Sequence, residues 1–414
     1  MRKTGGVFRL FPVRGRARPG FVRGSGGGSD GAAGGFQADG CGFSDAERRF
    51  RFTFVFAVDI IEQDTRPNAR NKPRIKRGHP PPEVNTAKNA SKQSKKLAIL
   101  TSGGDSSGMN ACIRTAVRYA LSKGYEVYGV RHGYVGMMED DIIEMPYGSV
   151  SNCVHTGGTI LRTGRTDEFK KPEVVQAAAQ NLLKRGINNL IVIGGDGSFH
   201  GVSDLHQLTD INVIGIPGTI DNDMGYTDYT IGFDTACNTV LDAMLKLRDT
   251  ITSHDRIMIL EVMGRHCGDI ALKTALAGGA EYVILPEAPT DVDAIAASVK
   301  KGFDKGKTST IIVLAEGRND LKDELREKVK ASTGRTVNHV ALSYIQRGGT
   351  PTMFDRVLAS RLAARAVEII ECGQSGRVVG VRGSDIIDVN VIEALKAKKQ
   401  FDDHLFMLAT TISK

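Results

Sequence analysis

From residue 95 onward the chain alternates short runs of aliphatic and β-branched residues with longer segments in which apolar positions recur every three or four residues. The short runs predict strands over 96–100, 126–130, 189–193, 212–216, 257–262, 282–285, 310–314, 337–345 and 377–381. Helices are expected between them. One opens at Pro172, which suits a first helical turn, carries Val174, Val175, Ala178, Leu182 and Leu183 as its apolar stripe, and stops at Gly186. Strand followed by helix, repeated this often over about 320 residues, predicts an α/β fold. At that length the expectation is two open three-layer α/β domains with mostly parallel sheets and the active site in the cleft between them.

The first 94 residues have another texture: Gly-rich over 20–42, studded with Arg14, Arg16 and Arg18, and closed by Pro80, Pro81 and Pro82. Such a segment buries too little apolar surface to offset the entropy of ordering it, so a disordered basic leader over 1–95 is expected. Three readings of it stand side by side: a solvated or weakly anion-binding tail, an upstream translation start, and an organelle-targeting peptide, the last favoured by the lack of acids before Asp30. Charge divides at the same place. Residues 1–96 hold 20 Lys and Arg against 8 Asp and Glu, so within a net charge of +8 the remainder carries −4. This is not the profile of a uniformly basic nucleic-acid binder, and no specific nucleic acid is expected as partner. No 18 apolar residues run uninterrupted, so neither a membrane-spanning helix nor a membrane partner is expected. Six cysteines (Cys41, Cys112, Cys153, Cys237, Cys267, Cys372) lie far apart with no C-x-x-C pair, which argues against a zinc ribbon or a disulfide framework and for a reducing, cytoplasmic setting.

Ligands of open α/β sheets collect beyond the carboxyl ends of strands, where helix N-termini offer free N–H groups. The first strand runs into Thr101-Ser102-Gly103-Gly104-Asp105 with a helix from about 108, a turn in which glycine permits positive φ and close approach of a phosphate. The strand at 189–193 enters Gly194-Gly195-Asp196-Gly197-Ser198. A carboxylate beside phosphate needs a cation between them, so Asp196 is a candidate Mg²⁺ ligand. The strand at 212–216 enters Pro217-Gly218-Thr219-Ile220-Asp221-Asn222-Asp223. If that segment is extended, Asp221 and Asp223 share a face and one carboxylate raises the other's pKa, strengthening it as a base. Each feature has a plain alternative: a steric Gly-Gly turn, a helix-capping Asp196, and an Asx-type turn at 221–223. Arg165, Arg265 and Arg347 are read at strand ends, where forked guanidinium groups suit phosphate oxygens. Phosphoryl transfer follows from the set.

Taken in order, TSGGDSSGMNA (101–111), GGDGS (194–198), PGTIDND (217–223), EVMGRHCGD (261–269) and IQRGG (345–349) resemble the ATP-dependent 6-phosphofructokinases of the bacterial type, over nearly all of 96 to 399. The resemblance implies an ATP-binding domain of 96–232 plus 346–396 and a fructose 6-phosphate-binding domain of 233–345 plus 397–414. It implies that ATP contacts Gly104, Tyr134, Arg165, Gly195, Asp196, Gly197, Ser198 and Gly201, with Mg²⁺ near Asp196. Asp221 is then the base for the sugar 1-hydroxyl, supported by Thr219 and Asp223, while Arg165 and Arg265 stabilise the moving phosphoryl group. Fructose 6-phosphate is expected at Thr219, Asp221, Asp223, Met263, Gly264, Arg265, Glu316 and Arg347, and at Arg256 from a neighbouring subunit, which implies a homo-oligomer, usually a tetramer. The family's effector site is matched in part by Arg114, Arg118, Arg248, Glu281, Lys305 and Lys307, with Tyr147 where an Arg is usual. Pyrophosphate-using relatives carry Asp and Lys where this chain has Gly197 and Gly218, so ATP is the expected donor. A pyrophosphate-dependent or altered-substrate phosphosugar kinase and a catalytically weak regulatory homologue are the alternatives. Asn338 and Tyr344 stand where an Arg and a His grip the sugar phosphate, and Thr166 replaces an apolar residue beside the adenine. Losing a charge-assisted contact costs about 1–2 kcal/mol per site, so weaker sugar-phosphate affinity is expected.

Overall fold

The computed structural model describes residues 95–413; the leader expectation falls, but for Lys95, outside the described residues. Within them eleven strands form two sheets. The strands are β1 (Lys96–Thr101), β2 (Glu126–Val130), β3 (Ile142–Glu144), β4 (Asn189–Gly194), β5 (Asn212–Pro217), β6 (Ile257–Val262), β7 (Tyr282–Ile284), β8 (Thr310–Ala315), β9 (Val337–Ala341), β10 (Arg377–Arg382) and β11 (Asp385–Asn390). The helices are α1 (Met109–Ser122), α2 (Tyr134–Met138), α3 (Pro172–Leu183), α4 (Asp196–Leu208), α5 (Phe233–Ser253), α6 (Asp269–Gly278), α7 (Val292–Asp304), α8 (Lys322–Thr333), α9 (Met353–Glu371), α10 (Val391–Lys396) and α11 (Asp403–Ile412).

The larger sheet has the order β11-β10-β5-β4-β1-β2-β3 and the smaller one β7-β8-β6-β9. Pairing is parallel except at β2–β3 and β10–β11. Parallel strands covered on both faces are read as continuous apolar runs, which is why most of them are visible in sequence. In β1, Leu97 and Ile99 pack with Ile113 of α1 and Leu362 of α9, whereas Ala98 and Leu100 pack with Val175 of α3 and Val202 of α4. In β6, Met258 and Leu260 face Val240 of α5 and Ala271 of α6, whereas Ile257 and Ile259 face Val299 of α7 and Val329 of α8. Each sheet is thus the middle of three layers, as the sequence predicts.

Three departures have local causes. The strand expected over 337–345 stops at Ala341, because Ser343 takes a φ of 46° and opens a 3-10 turn, Ser343–Arg347. The two antiparallel strands β3 and β11 were not expected. β3 is three residues at a sheet edge, and β11 is exposed at Asp385 and half-buried beyond it, so neither has a buried run to read.

The two sheets' elements meet at a buried carboxylate. Asp355, in the first turn of α9, is fully buried and accepts hydrogen bonds from the backbone N–H groups of Gly232 (2.9 Å) and Thr235 (2.8 Å) at the start of α5. Positive helix ends converge on one acid there and offset part of its burial, which still pushes the carboxyl up to about 6. No helix among the described residues is long and apolar enough to cross a membrane.

Candidate active site

The chain lays down β1, β2 and β3 toward one edge, then returns to place β4 against the other side of β1 and β5 beyond it. Neighbouring loops part at that reversal, which opens a crevice at the carboxyl ends of β1 and β4. The loops after β1, β4 and β5 are therefore adjacent, and one cavity of about 270 Å³ is lined by Gly104, Asp196 and Asp221 together. Tyr134, Arg165, Gly195, Gly197, Ser198, Thr219, Asp223, Arg265 and Arg347 share it.

The glycine turn is shaped by backbone demands. Gly103 has a φ of 89°, and a Cβ there would lie 3.2 Å from Ser198 Oγ. Asp196 is the first residue of α4, whose N-cap is Gly195, so Asp196 is not the cap. It is about half exposed, with His200 Nε2 3.8 Å away. Tyr134 forms a wall: its ring stacks on Phe169 at 4.1 Å, its hydroxyl donates to the Ser198 carbonyl at 2.7 Å, and burial pushes its pKa up.

The acid segment is not extended. Asn222 has a φ of 51°, so Asp221 and Asp223 do not share a face by strand alternation; the left-handed residue between them turns both into the cavity. Asp221 is 6% exposed, and burial first, then the neighbouring Asp223, pushes its pKa from 3.8 up to about 6, against the opposing pull of Arg265. Proximity of the acids is thus the lesser cause. Arg265 Nε lies 3.3 Å from Asp221 Oδ2, and the Asp221 N–H donates to Thr219 Oγ1 at 3.2 Å. The Asp223 carboxyl is also raised by burial, and its Oδ1 is buried without a hydrogen-bond partner.

The arginines reach the cavity by different routes. Arg265 follows β6, but Arg165 lies in an irregular loop and Arg347 ends a 3-10 turn, so only the first is at a strand end. A Cβ on Gly104 would lie 3.5 Å from Arg165 Nη2 and 3.8 Å from Arg347 Cζ, which puts two guanidinium groups over the glycine turn. Neither has a carboxylate in ion-pair reach among the described residues. Two guanidinium groups over the glycine turn, in one cavity with the start of α4, make an anion-binding surface.

Other expected residues, Thr166 excepted, stand outside the cavity. Gly201 packs under Tyr134, where a Cβ would come within 2.6 Å of the phenol ring and hydroxyl. Gly264, at a φ of 134°, precedes Arg265, whose N–H donates to Glu316 Oε2 at 3.0 Å, while the Met263 N–H donates to Gln346 Oε1 at 3.2 Å. Arg256 precedes β6, whereas Arg265 follows its far end, roughly 20 Å away for a six-residue strand. Asn338 lies in β9 opposite Met258, and Tyr344 is exposed with the Arg347 guanidinium 5.1 Å from its ring centroid. Thr166 lines the cavity mouth beside Lys170, which pairs with Asp167 at 2.7 Å. Lys170 was not anticipated, because a charged stretch before a helix is the ordinary look of a solvated surface. A second cavity of about 630 Å³ is lined by Glu281, Lys305 and Lys307. Glu281 pairs with Arg248 at 3.4 Å and with Lys307 at 3.7 Å, while Arg114, Arg118 and Tyr147 do not line that cavity.

Comparison with known proteins gives a consistent result. The phosphofructokinase family model matches residues 96–370. The ATP-dependent 6-phosphofructokinase of Clostridium botulinum (strain Loch Maree / Type A3) is 51% identical over 318 residues, 77% of this chain and 99% of that protein. That of Clostridioides difficile (strain 630) is 51% identical over 319 residues, with the same coverage. Among solved structures, phosphofructokinase from Saccharomyces cerevisiae aligns with a TM-score of 0.67 at 32% identity, covering 73% of this chain and 45% of the yeast chain. Pyrophosphate-dependent phosphofructokinase from Marinobacter aquaeolei aligns with a TM-score of 0.67 at 25% identity, covering 75% of this chain and 86% of that one. With the family model covering the smaller sheet and strands β1 to β5 of the larger one, and relatives half identical along almost their whole length, the chain belongs to the phosphofructokinase family.

Proposed function

We propose that this chain is an ATP-dependent 6-phosphofructokinase, a glycolytic transferase that moves the γ-phosphoryl group of MgATP to the 1-hydroxyl of fructose 6-phosphate, giving fructose 1,6-bisphosphate and ADP. One observation carries the reading: a buried carboxylate, Asp221, faces the same cavity as a glycine turn, a helix N-terminus and three arginines. The 51% identity to ATP-dependent enzymes, against 25% to a pyrophosphate-dependent one, supports the donor, as do Gly197 and Gly218, which leave the turns without side chains.

The nucleotide phosphates lie against the turn at Gly104 and the start of α4 at Gly195, Gly197 and Ser198, with Tyr134 and the Gly201 backbone behind them. Among the described residues no three His, Cys, Asp or Glu side chains gather as a metal site. Asp196 and the unpartnered Asp223 Oδ1 nevertheless leave carboxylate oxygens free at the cavity. Mg²⁺ commonly keeps one or two carboxylates alongside phosphates and water, so the donor set fits an ion that arrives with ATP, held by Asp196. Asp221 takes the proton from the sugar hydroxyl as that oxygen bonds to the γ-phosphorus and the bond to the ADP oxygen breaks. Thr219 and Asp223 orient the acid, and Arg165 and Arg265 hold the charge spread over the transferring oxygens.

Fructose 6-phosphate is held by Met263, Gly264, Glu316 and Arg347. The lobe boundaries are 96–232 plus 346–396 on the ATP side and 233–345 plus 397–414 on the sugar side. Arg256, at the wrong end of β6 for its own cavity, serves a neighbouring subunit in a homotetramer, and the Arg248–Glu281–Lys307 cluster belongs to an effector site in the cytoplasmic enzyme. Turnover of fructose 6-phosphate by the purified full-length chain with ATP, compared with pyrophosphate, tests the reading. Faster turnover with pyrophosphate would reverse the donor assignment.

A further inference from the structure

Asn222 separates the two acids yet lines neither the cavity nor the surface; it is fully buried. Both protons of its amide are used. Nδ2 donates to the Asp228 carbonyl at 3.1 Å and to Asp269 Oδ2 at 2.8 Å, while the Thr230 hydroxyl, which donates to the Thr219 carbonyl at 2.6 Å, lies 3.4 Å from Oδ1. Its backbone carbonyl accepts from Cys267 Sγ at 3.8 Å. Asp269, the first residue of α6, is held in turn by Lys399 at 3.4 Å and Lys273 at 3.9 Å. The acid segment 219–223, which follows β5 of the larger sheet, is therefore stitched to the segment 264–269, which follows β6 of the smaller one.

That second tie matters because the first one is consumed by the chemistry. The Arg265–Asp221 ion pair joins the same two segments. During transfer Arg265 turns to phosphoryl oxygens and Asp221 becomes neutral as it receives the proton, so the pair is absent when both groups must be placed. We propose that Asn222 is a positioning residue for the transfer step, its amide keeping the acid segment in register with the Arg265 segment while Arg265 changes partners. This rests on the reading of Asp221 as the base. The left-handed backbone alone does not require the amide, since glycine adopts that φ as readily but does not reach Asp269.

The test uses the full-length chain and steady-state kinetics with ATP and fructose 6-phosphate, with thermal unfolding followed in parallel. Asn222→Gly keeps the backbone and removes the tie. It is expected to lower kcat roughly tenfold to a hundredfold, the scale of a misplacement of about 1 Å, with the KM for ATP within about twofold. Asn222→Asp sets two carboxylates against each other and is expected to fall further. The double variant Asn222→Asp with Asp269→Asn exchanges donor and acceptor across the contact with residue 269, though not at the Asp228 carbonyl, and is expected to recover roughly tenfold over Asn222→Asp. Native kcat in Asn222→Gly, a double variant no better than the product of its single effects, or activity lost only in step with folded protein would each overturn the positioning role. An inactive wild-type chain in the same assay would instead remove the functional reading on which it stands.

Discussion

Replacing Asp221 by Asn is expected to inactivate the enzyme and stabilise the fold at once. The two side chains have nearly the same shape, so the cavity and its arginines stay in place while the proton acceptor disappears. Losing a general base costs about 10²–10⁴ in kcat. The stability effect follows from burial. A carboxyl raised from 3.8 to about 6 binds its proton more tightly in the folded chain than in the unfolded one. The folded state is thus favoured at low pH and loses that advantage as pH rises from about 4 to about 6. At pH 8 the full penalty for holding the charge is on the order of 3 kcal/mol, and at pH 5 about half of that, so Asn removes a cost that grows with pH. A gain of this size raises the unfolding midpoint by several degrees. Calorimetric scans at pH 8 and pH 5, beside a coupled assay for ADP, read both quantities. Near-native kcat would take Asp221 out of the base role. A lower midpoint at pH 8 than the parent's would show that the Arg265 ion pair outweighs desolvation, and would refute the electrostatic reasoning.

Further outcomes follow from the same geometry. Because the base must be ionised, kcat/KM is expected to rise with pH through an acid limb near 6 that Asp221→Asn abolishes; a flat profile between pH 5 and 7 would contradict this. Gly197 has open space where a Cβ would stand, so Gly197→Asp is expected to fold as well as the parent, since an acid in the first helical turn is worth about 0.3–1 kcal/mol. Its carboxylate faces the phosphates, and the KM for ATP should rise roughly tenfold or more; an unchanged KM would show that ATP does not pass this point. Gly201→Ala drives a methyl into Tyr134 and is expected to destabilise by about 1–3 kcal/mol while raising the KM for ATP, measured by thermal unfolding and steady-state kinetics. Retention of both would mean that the Tyr134 wall is free to move.

What sequence exposes here is periodicity and punctuation. β1, β4, β5, β6 and β8 are continuous apolar runs because both faces are covered, and the glycine-rich ends of β1 and β4 mark where ligand approaches. Convergence of Gly104, Asp196 and Asp221 follows from strand order, which the alternation of strands and helices only narrows. The orientation of the acids was drawn from strand geometry, yet it comes from one left-handed residue, Asn222, whose conformation no alternation pattern reveals. Lys170 is hidden in a charged stretch. The role of Asp355 is invisible for another reason: its partners at Gly232 and Thr235 are more than a hundred residues away in the chain.

The three loops that carry Gly104, Asp196 and Asp221 spring from adjacent strands of one sheet, β1, β4 and β5, whereas Arg265 and Glu316 spring from the other. Spacing within the first group is locked by ladder hydrogen bonds at about 4.8 Å per strand. The second group is tied to the first through side chains, among them the Asn222–Asp269 hydrogen bond and the Arg265–Asp221 ion pair. The span between triphosphate and acceptor alcohol consequently rests on a few side-chain contacts, whose loss would loosen it without touching either sheet.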